Sequence, residues 1–160
     1  MTPLDWLFIV LEDAFWSAIA ATGFAVLFNV PPRALWGCAL AGAIGHALRT
    51  VMVEMAGLSV EFGTLVGAAS VGFIGVQLAR RLRAPSLIFT VPAAIPMVPG
   101  VFAYTAMLNF LVLASSTPEA GSTLLVDAMT NLIRATLVLG AIAIGITLPQ
   151  LLFRRARPIV

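Results

Sequence analysis

The chain has 160 residues, 61% hydrophobic and 10% charged, with a net charge of +2 and a mean hydropathy of +1.05. Soluble domains carry about 25% charged residues, so this composition excludes an ordinary cytosolic domain and points to one integral membrane domain over residues 1–160. One cysteine rules out a disulfide framework, and one histidine without an H-E-x-x-H or comparable pattern leaves little from which to build a metal or hydrolytic site. No metal, cofactor or enzymatic activity is therefore expected, an intramembrane enzyme using Glu12, Asp13 and His46 being the minor alternative.

A membrane-spanning helix needs roughly 20 mainly apolar residues. The chain is read as an all-α, polytopic helical bundle with spans at about 4–30, 34–53, 62–79, 87–114 and 123–153. The amino terminus, MTPLDWLFIVLEDAF, lacks a basic n-region and an A-x-A-like cleavage pattern, so the first span is expected to stay in the protein. It carries Glu12 and Asp13, about 100° apart around the helix, so only one readily faces a given cavity. Two readings are open for this pair: a proton or cation site at depth, or an interfacial start to the helix. NVPPR (Asn29–Arg33) ends the span, because paired prolines cannot continue a helix.

The second span, Ala34 to Val53, carries His46 and Arg49 on one helix face, with Gly42 one turn earlier leaving space beside them. Ionisable groups at membrane depth are costly and are functional candidates by default. Arg49 either attracts a carboxylate or snorkels to the membrane edge. His46 either binds an anion or exchanges a proton near neutral pH, or packs as a neutral ring. Cys38 reads as a small buried side chain. The connection EMAGLSVE bears Glu54 and Glu61, and the third span, Phe62 to Ala79, ends at RRLRAP.

The fourth span runs from Leu87 to Ala114 without a charge, yet contains FTVPAAIPMVPG. Proline removes a backbone N–H and clashes one turn back. Pro92, Pro96 and Pro99 should leave the carbonyls of Ile88, Pro92 and Ile95 without helical donors. Such backbone cannot face hydrocarbon, so it must be enclosed by protein or line a wet cavity. Gly100 is expected to permit close approach, and a half-helix is expected to start at Val101 with its amino end available to an anion. Broken helices of this kind mark substrate sites in many secondary transporters; the alternative is a simple kink. Tyr104, Thr105 and Asn109 follow, able either to orient a polar ligand or to bond helix backbone.

In the fifth span Thr123, Asp127, Asn131 and Arg134 form one polar stripe, facing either a permeation path or the membrane edge. The pairs Gly63/Gly67, Ala41/Gly45 and Ala141/Gly145 have the small-x-x-x-small spacing that lets helices approach closely, within the bundle or at an oligomer interface. All nine basic residues are arginine. Five spans place Arg33, the RRLR cluster (Arg80, Arg81, Arg83) and the RRAR tail (Arg154, Arg155, Arg157) on one side, so the amino terminus is expected outside and the carboxyl terminus in the cytoplasm. A four-span arrangement breaks that partition.

FNVPPRAL (Phe28–Leu35), GAIGHALR (Gly42–Arg49), FTVPAAIPMVPG (Phe89–Gly100), AYTAM (Ala103–Met107) and a late Thr130–Asn131 pair occur in an order that resembles the small (YjjB-type) membrane subunit of the threonine/serine exporter family. The resemblance covers nearly the whole chain, with IPMVPG its most specific part; Pro92 departs from the related pattern. It implies bacterial inner-membrane export together with a large YjjP-type membrane subunit. Succinate-type dicarboxylates are the implied cargo of split members, and threonine or serine the alternative. From the residues, the transport candidates are Pro96, Pro99, Gly100, Tyr104, Thr105, Asn109, His46, Arg49, Asp127 and Asn131, and the proton-coupling candidates are His46, Glu12 and Asp13. A subunit that only supports assembly and binds no substrate is the reading from another class.

Overall fold

A computed structural model describes residues 3–114 and 118–153, with side chains over 4–114 and 121–153. The RRAR tail lies outside the described residues. Every regular element among them is helical: α1 Pro3–Leu27, α2 Pro32–Thr50, α3 Val60–Leu82, α4 Leu87–Ala94, α5 Gly100–Leu113 and α6 Pro118–Phe153. A π-helical turn, Val51–Met55, extends α2, and a 3₁₀ turn, Ile95–Met97, follows α4. Four helical stretches are long and apolar enough to cross a membrane, at Leu4–Leu27, Pro32–Met55, Val60–Leu82 and Gly121–Phe153. The α4 and α5 segments provide a fifth span only when taken together.

Local chemistry sets the helix ends. The first helix stops at Leu27, short of the expected Val30, because Asn29 takes a left-handed φ of 56°. Asparagine tolerates that region better than most residues. Pro31 is extended and Pro32 opens α2, where a missing N–H costs nothing. At the same end of the bundle, Arg83 caps α3 with a φ of 51°, and the amide of Ala84 returns to the carbonyl of Ala79.

The chain forms two compact units, one of Met1–Met97 with Ala141–Val160 and one of Val98–Gly140. In the first, small residues let backbones meet. A Cβ added to Gly67 would lie 2.6 Å from the Gly45 carbonyl oxygen, and one added to Gly72 would lie 2.7 Å from that of Ile146. Gly42 faces Ala21 of α1, and Gly145 faces Ala68 of α3. The glycine and alanine pairs of the sequence therefore serve packing inside this unit. Val98–Gly140 buries Ala106, Ala128, Ala135 and Val138, while large apolar side chains such as Met107, Leu111 and Ile133 stay exposed. Lipid tails suit those exposed faces, since a bilayer core is as apolar as leucine. Within this unit the Arg134 guanidinium lies 5.9 Å from the centre of the Phe102 ring.

Candidate functional site

Asp13 stands within α1 and His46 within α2, both inside membrane-length helices. The two helices pack so that His46 Nδ1 lies 3.3 Å from Asp13 Oδ2. Thr50, one turn beyond His46, donates its hydroxyl to the same carboxylate oxygen. A carboxylate in apolar surroundings needs such donors, because an unpaired charge there is strongly disfavoured. His46 is buried, and its second ring nitrogen, Nε2, meets no partner among the described residues. With Nδ1 donating to Asp13, Nε2 is left as a lone acceptor that can take up a proton. The pair can thus hold a proton between imidazole and carboxylate.

Arg49 lies between His46 and Thr50 in sequence and is half-buried. It lines a cavity of about 210 Å³ with Thr50, Val53, Glu54 and Val60. No carboxylate comes within ion-pair distance of Arg49 among the described residues. The cavity opens where α2 widens into the π-helical turn, a distortion frequent at functional sites. Thr50 touches both features: it lines the cavity and holds Asp13.

The proline segment packs beside this cluster. Met97, the last residue of the 3₁₀ turn, is fully buried. Its methyl group occupies the space a Cβ on Gly45 would need, 2.7 Å away, next to His46. Pro92, Ala93, Ala94 and Met97 are buried, so the backbone of this stretch is largely enclosed by protein as its chemistry requires. The helix runs through Pro92, however, and the interruption falls at Ile95–Pro99. The carbonyl of Ile88, deprived of a helical donor by Pro92, accepts the thiol of Cys38 at 3.2 Å.

Past the turn, α5 begins at Gly100, one residue earlier than expected, with buried Pro99 as its cap. The Gly100 amide is taken by the Val98 carbonyl at 2.8 Å, and Pro99 has none, so the anion-binding donors here reduce to the amides of Val101 and Phe102. Gly100 is exposed and a Cβ on it would meet nothing within 4 Å, so the expected close approach is absent among the described residues. Tyr104 is exposed, and Thr105 and Asn109 are half-buried. Asp127 is exposed; half-buried Asn131 donates its amide to the Asp127 backbone carbonyl at 2.8 Å.

The structure therefore brings His46 to Asp13 and not to Glu12, whose side chain is exposed. Sequence reasoning missed Thr50, although its spacing of four from His46 was a usable signal. It also missed Thr90, which is fully buried on α4 with an unpartnered hydroxyl. Among the described residues no group of three His, Cys, Asp or Glu side chains could hold a metal ion.

Among the described residues, four to five apolar spans, a proline-interrupted helix and an ionisable pair of buried His46 and half-buried Asp13 define a multi-pass membrane protein with the parts of a solute carrier. A family model described as Threonine/Serine exporter, ThrE, matches residues 13–152. The chain belongs to that family, as a membrane exporter subunit. No solved structure matches it.

Proposed function

We propose that this chain is the small subunit of a two-component inner-membrane exporter of small carboxylates, acting with a large YjjP-type partner on succinate-type dicarboxylates. The observation that supports this reading is the Asp13–His46–Thr50 cluster, adjoined by the Arg49-lined cavity at the π-helical turn. Arg49 supplies a cation to meet a carboxylate, and the cavity holds the solute's polar end. Protonation at His46 Nε2 makes the imidazole cationic, strengthening its hold on Asp13 and adding positive charge beside the cavity. Loss of that proton returns the pair to a net negative charge, which weakens an anion's grip and favours release. The interrupted α4–α5 segment supplies the backbone that can rearrange between the two conditions. The amino terminus lies outside and the carboxyl terminus in the cytoplasm, with Arg33 and the RRLR cluster on the cytoplasmic side.

Threonine or serine is the second reading. The description of the matched family favours it, and the Asp13 carboxylate offers an acceptor for an ammonium group. Co-reconstitution of both subunits in liposomes, with radiolabelled succinate, threonine and serine offered under a proton gradient, separates the two. Uptake of none of them under any ion gradient would overturn the exporter assignment. Transport that survives Asp13→Asn, His46→Gln and Arg49→Gln with the complex intact would leave the chain as an assembly subunit only.

A further inference from the structure

A second polar cavity lies at the arginine-bearing end of the bundle, where α3 and α6 finish and α4 begins. Its volume is about 540 Å³, and its polar lining consists of Arg80, Ser86 and Gln150. Val76, Leu87 and Phe153 supply the apolar part. All belong to the unit of Met1–Met97 with Ala141–Val160.

Its chemistry is one-sided. Among the described residues no acidic side chain lines it, and each polar side chain that does carries a donor. Arg80 sends one N–H to the Phe153 carbonyl at 3.3 Å and lies 5.5 Å from the centre of that ring, and the rest of its fork has no partner among the described residues. The amide nitrogen of Gln150 is buried without a partner among the described residues. Ser86 precedes α4 yet makes no side-chain capping bond, so its hydroxyl is not spent on its own helix. An unmatched buried amide is a standing cost that a bound acceptor would remove. A guanidinium fork, a hydroxyl and an amide together match the several oxygens of a phosphate group.

Position decides the source of that phosphate. The lining groups sit at the ends of helices of membrane-spanning length, and Leu87 and Phe153 at the rim are exposed on the apolar side. Exposed Arg81 and Arg83 add positive charge around the same end. Basic pockets between spans at a membrane surface hold anionic lipid headgroups. We propose that this cavity is a resident site for an anionic phospholipid, with the phosphodiester on Arg80, Ser86 and Gln150 and an acyl chain leaving past Leu87 and Phe153. The bound lipid stitches the end of α3 to those of α4 and α6.

The test uses the full chain, purified in detergent, delipidated and returned to nanodiscs of phosphatidylcholine with or without phosphatidylglycerol. Lipid retained through a second detergent purification is measured by mass spectrometry. Phosphatidylglycerol is expected to be retained in preference to phosphatidylcholine. Arg80→Gln should lower its retention by about tenfold or more, the loss of a charge-assisted bond. Gln150→Leu and Ser86→Ala, which alter no charge, should each lower it severalfold and keep the assay decisive if Arg80→Gln misfolds. Arg83→Gln, which only thins the surface charge, should cost no more than about fivefold. Equal losses at Arg80 and Arg83 with none at Gln150 and Ser86 would overturn the site. Displacement of the lipid by millimolar inorganic phosphate or succinate would overturn the lipid as its occupant and assign the cavity to a free anion.

Discussion

The thiol of Cys38 on α2 donates to the carbonyl of Ile88 on α4 at 3.2 Å. In an α-helix that carbonyl would receive the amide four residues on. Here that residue is Pro92, which has no N–H. The single cysteine thus supplies, from a neighbouring helix, a donor that the proline removed, and α4 continues to Ala94.

Cys38→Ser should keep this bond, whereas Cys38→Ala should strand a buried carbonyl at a cost of about 1–3 kcal/mol. The gap between the two variants should shrink in a Pro92→Ala background, where an amide returns to serve Ile88. Denaturant midpoints of the purified full chain in detergent measure all four proteins. An equal gap in both backgrounds would show that the thiol serves packing alone.

Glycines divide by what surrounds them. Gly72→Ala drives a methyl group against the backbone of Ile146, with a stability loss of about 1–3 kcal/mol expected. Gly140→Ala meets open space in the middle of α6 and should be neutral or stabilising by up to about 1 kcal/mol. Thermal unfolding of the two variants side by side checks the ranking, and a reversal would mean that α3 and α6 do not meet at Gly72.

The spans were legible because apolar length alone specifies a membrane helix, and the small-residue pairs because backbone contact in lipid demands them. The phase of one helix against another was not legible. Glu12 and Asp13 have the same charge and adjoin in sequence, yet only Asp13 turns toward His46. Helical spacing relates residues within an element and says nothing about which face a neighbour covers. Pro92 misled for a related reason. Whether a proline breaks a helix depends on donors arriving from elsewhere, and Cys38 is 50 residues distant in sequence.

Asp13 and His46 should act as a unit in transport. Asp13→Asn and His46→Gln are each expected to cut proton-driven flux about tenfold or more, with the double variant no worse than the poorer single one. If His46 carries the coupled proton, the pH dependence of flux should flatten in His46→Gln. Flux assays in proteoliposomes holding both subunits supply the numbers. Additive losses, or an unchanged pH profile, would separate the two residues.

Thr50 orients Asp13 and lines the Arg49 cavity. Thr50→Ser retains the hydroxyl and should transport normally. Thr50→Val keeps the shape but loses the bond to a charged acceptor, with about a tenfold fall expected at a net cost of about 1.5 kcal/mol. Glu12→Gln alters an exposed carboxylate outside the cluster and should change flux less than about twofold. A fall at Glu12 equal to that at Thr50 would move the coupling site to the other side of α1.

The prolines of the fourth span should differ in function as they differ in geometry. Pro92 lies inside α4, so Pro92→Ala adds an amide to a helix that already exists and should leave flux within about threefold of normal. Pro96 and Pro99 bracket the point where helix gives way to a 3₁₀ turn and restarts at Gly100. Alanine at both positions restores amides that can reach the carbonyls of Pro92 and Ile95, letting one helix form across the turn. Met97 would then leave its seat against Gly45, and the backbone beside His46 would lose its freedom to rearrange. The double variant should still copurify with the proposed partner subunit while transporting about tenfold less, the scale of loss expected when a positioned site shifts by a fraction of an ångström. Copurification and flux measured on the same preparation distinguish the cases. Loss of both together would assign the turn to assembly, whereas retained flux would show that an unbroken helix can do the work.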